Sequence, residues 1–270
     1  MPSVSLTMIV RDEEASVADA LRSVADLFDD IVVVDTGSTD RTREAALSAC
    51  PGARIFDFPW CDDFSAARND ALRHARGEWV FWIDADDRID ETGRAKLREV
   101  FAHLPSDGNP MYVLPCVSST PWCEHLAPVI PHHRLFRNRP DIRWIGRVFE
   151  NVCSTNPHLE TTSVPLDVTI SHLGYVDLPR FVAKLVRNRR LFLLEQVELS
   201  ARLKAVAFRL RQTDGTLPIY ERLVQIETQL CSGGDAQLAR EKQQLQWRLA
   251  HPQGPLEAPD PSTSTVIVGG

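Results

Sequence analysis

The stretch "FWIDADDRID" (residues 81–90) ends an apolar run and then sets carboxylates at four of seven positions, Asp84, Asp86, Asp87 and Asp90. Two unit charges about 5 Å apart repel by under roughly 1 kcal/mol in water and several-fold more in a partly closed site, so such clustering needs a reason. A solvated turn in which Asp87 caps the next helix would be one. Position favours another, because the first three carboxylates follow "WVFWI", which reads as a strand buried on both faces, and so stand at a sheet edge where ligands collect. Mg2+ or Mn2+ takes one or two carboxylates and fills its remaining positions with phosphate oxygens and water. The ligand predicted at this edge is a metal-bound diphosphate.

A second cluster, "VVVDTGSTD" (residues 32–40), ends another apolar run on Asp35, where a carboxylate can accept hydrogen bonds from a ribose or the N–H of a base. Its ordinary structural content is a strand, a turn at Gly37 and a helix capped by Ser38 or Thr39. Neither GxGxxG nor GxxxxGK[ST] occurs, so the usual glycine-rich phosphate cradles are missing. A metal at "DADD" and Arg68 in "SAARN" are the candidates to neutralise phosphates instead.

These clusters need elements to hold them. "SLTMIV" reads as a strand, "EEASVADALRSVADLF" puts Val17, Leu21, Val24 and Phe28 on one helical face, and "DIVVVD" is a buried strand. "STDRTREAALSAC" opens a second helix with Ser38, Thr39 and Asp40 as cap candidates. "ARIFDF" is a third strand, "DDFSAARNDALRHARG" a helix with Asp63 near its start and Gly77 at its end, and "EWVFWID" a fourth strand. Strands alternating with amphipathic helices predict an α/β fold, a doubly wound, mainly parallel sheet with helices on both faces. "VRDEE", "VDTGSTD" and "DADD" then converge on one cleft at the strand ends. From about residue 105 short Pro-rich β-like segments predict an irregular second half of the sheet. Residues 178–250 read as a C-terminal helical extension and residues 251–270 as a disordered tail.

Composition narrows the partners. A net charge of −7 over 270 residues lacks the basic stripe that nucleic acid requires. The first residues show no signal peptide and no membrane span, which predicts a cytoplasmic protein. Six cysteines without CxxC pairs exclude the common zinc spacings and a dense disulfide framework; Cys61 and Cys123 are the two considered for a redox or nucleophilic role.

Taken together, "LTMIVRDEEASVADALRSV", "IVVVDTGSTDRT", "FPWCDDFSAARNDAL" and "GEWVFWIDADDRI" resemble, in order and spacing, the nucleotide-sugar domain of family 2 glycosyltransferases, which have the GT-A fold. "RLFRNRPDIRWIGRVFENV" and "ISHLGYVD" extend the likeness to about residues 4–195. They resemble the bacterial branch that includes the peptide S-glycosyltransferases of glycocin pathways. The resemblance implies a GT-A domain over residues 1–177 and an inverting, metal-dependent transfer from a nucleoside diphosphate-sugar to a peptide, glycan or lipid acceptor. It implies Asp12, Glu14, Asp35, Arg68, Asp84 and Asp87 at the donor, with Asp86 and His172 on Mg2+ or Mn2+.

The resemblance also sets Glu150 of "RVFENV" where the catalytic base is expected. A salt bridge to Arg147 or Arg143 is the structural alternative for that residue. Relatives more often carry His-Glu here, and this chain has Phe149-Glu150. The basic helix "KLVRNRRLF", with Lys184, Arg187, Arg189 and Arg190, reads either as a solvated face or as a contact to the leaving diphosphate or an acidic acceptor. No tetratricopeptide-like period follows it, and the C-terminal helices are read as packing on the domain or mediating self-association. A glycosidase is disfavoured because adjacent Asp84 and Asp86 cannot flank a bond. The alternative is a non-catalytic nucleotide-sugar-binding module acting through its C-terminal helices.

Overall fold

A computed structural model describes residues 2–119, 129–210 and 241, with side chains in the long C-terminal helix described to residue 202. The chain divides into two compact units after Glu195. The first carries all the described strands and the site. The helices expected beyond residue 210, the tail, Cys123 and Cys231 lie outside the described residues.

Four parallel strands form the first half of the main sheet: β1 (Val4–Val10), β2 (Asp30–Asp35), β3 (Arg54–Asp57) and β4 (Trp79–Trp82), in the order β3-β2-β1-β4. The order reverses around β1, which is the switch point where open α/β sheets make their crevice. β4 carries Trp79, Val80, Phe81 and Trp82, all buried. Trp79 and Phe81 join the core that also holds Val17, Leu21, Val24 and Phe28, while Val80 and Trp82 face a second core with Phe136 and Trp144. A strand loaded on both faces has no hydrophilic side, so its continuous apolar run follows from its central place.

The connecting helices are α1 (Val17–Arg22), α2 (Thr42–Ala49) and α3 (Phe64–His74). The expected single long first helix stops at Arg22 and continues as a 3-10 turn over Ala25–Leu27. The Ser23 hydroxyl donates to the Ala20 carbonyl at 2.7 Å and competes with the helical ladder there. α3 begins at Asp63, whose carboxylate accepts from the Ala66 amide at 3.0 Å, as expected of a cap. Its other end differs from the reading: the helix closes at Ala75, and Gly77 belongs to the approach to β4. A Cβ at Gly77 would lie 2.6 Å from the Ser5 amide nitrogen and 2.9 Å from the Trp79 carbonyl oxygen. Close passage of backbone against β1, rather than a left-handed cap, is what requires glycine there.

The second half contains β5 (Asp87–Arg88), α4 (Glu91–Ala102), β6 (Pro110–Ser118), β7 (Val129–Arg137), the hairpin β8 (Ile142–Ile145) and β9 (Asn151–Ser154), β10 (Thr162–Pro165) and β11 (Ile170–His172). β7 runs antiparallel to β4 and β6, and β6 takes β10 and β11 in parallel along its other edge. β11 then pairs antiparallel with β5, His172 opposite Asp87. That register brings a residue 85 positions away onto the acidic turn. α5 (Leu178–Leu210) follows. Among the described residues no helix is long and apolar enough to cross a membrane.

Asp90, not Asp87, caps α4: its carboxylate accepts from the Gly93 amide at 2.7 Å. Asp90→Ala is expected to cost about 1 kcal/mol, read as a lower urea midpoint at unchanged m-value.

Candidate active site

The cleft has a volume of about 480 Å³ and opens at the carboxyl ends of β1 and β4. Arg68, Asp84, Asp86, Glu150, His172 and Lys184 are among its lining residues. The three aspartates of the turn are sorted by burial into separate environments.

Asp87 turns inward and is 1% exposed. Its Oδ2 accepts from Arg134 Nη1 at 2.7 Å and from the Asp84 amide at 2.9 Å, and its Oδ1 lies 2.9 Å from His172 Nδ1. Burial by itself raises its pKa, but the Arg134 charge and the His172 hydrogen bond outweigh it and hold Asp87 below the ordinary carboxylate value. Arg134 lies against Trp82, its guanidinium carbon 3.6 Å from the ring centroid. A fully buried arginine requires such a partner.

Asp84 faces Arg68, whose Nη2 donates to it at 2.9 Å while Nε donates to Glu150 Oε1 at 2.7 Å. Arg68 also has Trp82 and Trp144 beside its guanidinium carbon, at 4.1 and 4.9 Å from their ring centroids. Burial opposes both charges, but the pairing wins: Asp84 is held below and Arg68 above its ordinary value. Glu150 therefore pairs with an arginine 82 positions upstream. Arg143 donates to the Pro140 carbonyl, and Arg147 Nη1 to the Asp62 carbonyl.

Asp86 meets Lys184 Nζ at 2.6 Å and His172 Nδ1 at 3.4 Å. Burial lowers the His172 pKa, but the Asp87 hydrogen bond and the surrounding carboxylates raise it more, and the net direction is up. With Nδ1–H donating to the Asp87 carboxylate, the neutral imidazole would keep Nε2 as the nitrogen available to a ligand. A Cβ built on Gly174 would lie 2.3 Å from Asp86 Oδ2 and 2.6 Å from His172 Nε2. Only glycine leaves the gap between these two groups open. Carboxylate oxygens of Asp84, Asp86 and Asp87 also lie within 4.8 Å of one another. An oxygen-rich set with one imidazole fits Mg2+ or Mn2+, and Lys184 Nζ reaches the same gap, 2.6 Å from the Gly174 Cβ position.

Asp12, Glu14 and Asp35 occupy the rim's framework rather than the lining. Asp12 has φ 52 and accepts from the Thr39 amide at 2.7 Å, while Glu14 accepts from the Arg41 amide at 3.0 Å. The two tie the loop after β1 to the loop after β2, and Ser38 joins them by accepting from the Asp12 amide at 3.0 Å. The expected caps Ser38 and Thr39 are thus engaged elsewhere, and the Thr42 amide at the start of α2 donates to Asp40 at 3.0 Å. Asp35, 3% exposed, closes its own turn by accepting from the Gly37 and Ser38 amides.

Glu13, passed over in the motif reading, does line the cleft. Burial raises its pKa and the Asp86 charge adds to the rise. Arg134 was also missed as a site residue. Its signal was an arginine directly before "LF", the three residues that form the buried part of β7. Cys61 is exposed, yet partial desolvation and the Asp63 charge raise its pKa, which disfavours a thiolate. Cys116, in the cleft, is pushed up to about 12 by burial.

With this geometry in place, comparison with known proteins gives a consistent result. Residues 5–145 match the sequence model of Glycosyl transferase family 2. The chain belongs to that family. Its GT-A fold follows, with the parallel half-sheet, the antiparallel β7 and the crevice at the switch point as described.

A TPR repeat-containing protein of Synechococcus elongatus is 38% identical over 65% of this chain and 43% of its own length. The SPbeta prophage-derived glycosyltransferase SunS of Bacillus subtilis is 29% identical over 64% of this chain and 40% of its own. The second bears out the expected bacterial branch. A crystal structure of S. aureus TarS residues 1–349 superposes with a TM-score of 0.43 at 16% identity, covering 64% of this chain and 60% of that one. The chain spans about two-fifths of the length of the curated relatives it matches.

Proposed function

We propose that the chain transfers a hexose-type sugar from a nucleoside diphosphate donor to a peptide, glycan or lipid acceptor, with inversion at the anomeric carbon. The observation that carries this reading is the continuous chain Asp84, Arg68, Glu150 in a cleft that also holds Asp86 and His172. One buried guanidinium thereby fixes the spacing between a carboxylate on the donor side and a carboxylate on the acceptor side. Such fixed spacing is what a single direct displacement needs.

In this reading Asp84 and Arg68 orient the donor. Asp12, Glu14 and Asp35 hold the two loops that receive its nucleoside, and Asp87 holds the metal-ligating turn and the His172 tautomer. Asp86 and His172 would hold Mg2+ or Mn2+, which when bound stabilises the charge of the departing diphosphate. Arg68 engages Oε1 of Glu150, so the other oxygen is offered to the acceptor's proton. That proton passes to Glu150 as the acceptor atom bonds the anomeric carbon and the bond to the phosphate oxygen breaks on the opposite face. The sugar leaves on the acceptor and the nucleoside diphosphate departs.

The test is turnover of UDP-, GDP- and dTDP-sugars with Mn2+, read as released nucleoside diphosphate by mass spectrometry. Glu150→Gln is expected to lower turnover by about 10²–10⁴-fold with donor affinity little changed. Retention of wild-type turnover in this variant would move the base elsewhere. No release and no thermal shift with any donor would overturn the enzyme reading in favour of a binding module.

A further inference from the structure

Lys184 stands near the start of α5, and its side chain is 25% exposed. Its Nζ lies 2.6 Å from Asp86 Oδ2, although 98 positions separate the two residues. The Cβ position of Gly174 is 2.6 Å from this same Nζ, as it is from His172 Nε2, and 2.3 Å from Asp86 Oδ2. Ammonium, carboxylate and imidazole thus converge on one gap. Other cations at the turn are already engaged: Arg134 with Asp87, and Arg68 with Asp84 and Glu150. Lys184 is the cation in direct contact with Asp86 Oδ2, with His172 Nδ1 at 3.4 Å from the other oxygen and the Arg187 charge acting on Asp86 from further away.

We propose that Lys184 is a stand-in cation. It neutralises Asp86 while the gap holds no metal ion, and it gives Asp86 up to a divalent ion and passes its ammonium to the diphosphate of the incoming donor. This rests on the reading of Asp86 and His172 as metal ligands. A doubly charged ion and an ammonium on the same carboxylate oxygen repel, so the two occupy it in turn. Lysine suits the exchange because its ammonium is a point charge on a flexible stem, able to move to a phosphate without the fixed fork of arginine. The device couples metal and diphosphate: the metal alone must displace Lys184, whereas metal with diphosphate gives the ammonium a new partner. Binding of the two is then cooperative.

Isothermal titration of the full chain with Mn2+ alone, and of the Mn2+-saturated chain with inorganic pyrophosphate, tests this. Lys184→Met is expected to bind Mn2+ alone about tenfold more tightly and pyrophosphate about tenfold more weakly than wild type. A merely structural defect would weaken both, so the opposite signs are the diagnostic. Lys184→Arg, which keeps the charge, is expected to bind Mn2+ alone more like wild type than Lys184→Met does. Wild type that binds Mn2+, with Lys184→Met binding it no more tightly, would overturn the role of Lys184 and leave the metal site standing. Absence of Mn2+ binding in wild type and Lys184→Met alike would overturn both.

Discussion

Asp86→Asn is expected to remove measurable Mn2+ binding and to lower nucleotide-sugar turnover by about a thousandfold, the scale on which loss of a group stabilising developing charge is felt. The change is nearly isosteric and spares the buried pair between Asp87 and Arg134, which holds the turn in place. Thermal unfolding should therefore stay close to wild type while calorimetric Mn2+ binding disappears. Unchanged metal affinity in this variant would remove the core of the proposed mechanism. Because Lys184 loses its anionic partner in the same variant, the experiment also reports whether the charge balance at Gly174 matters to the fold.

Arg68→Met should have the largest effect on stability. Arg68 is 6% exposed, pairs with two carboxylates and has two indole rings beside it. Removing one partner of a buried ion pair costs about 3–5 kcal/mol, because the remaining charges stay desolvated and unpaired. Asp84 is 31% exposed, so the lower end of that range is expected, seen as a drop in urea midpoint with constant m-value. Adding Glu150→Gln should restore part of the loss, since it removes one of the stranded charges. A destabilisation below about 1 kcal/mol would mean that the triad is more solvated than its burial indicates. Glu150→Gln alone leaves Arg68 paired with Asp84, so it should lower stability less than Arg68→Met does while lowering turnover steeply, which separates the chemical contribution from the structural one.

Several features of this protein are legible along one dimension. Periodicity marks β1, β2 and β4 with α1, α2 and α3, because a face that must be buried repeats every two or every 3.6 residues whatever it packs against. The fully apolar "WVFWI" identifies a central strand, and a central parallel strand delivers whatever follows it to the crevice. Residue type and order alone therefore put Asp84 and Asp86 at the cleft and Asp63 at a helix start, whereas Asp87, read with them, turns inward beneath the lining.

How the carboxylates divide their work was decided only in three dimensions. The antiparallel register of β11 on β5 sets His172 beside Asp87, β7 brings Arg134 beneath it, and α5 carries Lys184 to Asp86. Nothing within ten residues of "DADD" encodes those partners. Glu150 found Arg68 rather than its neighbours for the same reason: in a buried site the energy of an ion pair depends on burial and distance, not on separation along the chain. Gly77 and Gly174 show the other side of this limit. Both are demanded by the close approach of distant atoms, Ser5 at one and Asp86, His172 and Lys184 at the other. A sequence records that a Cβ is missing, while only the packed structure says what occupies the space.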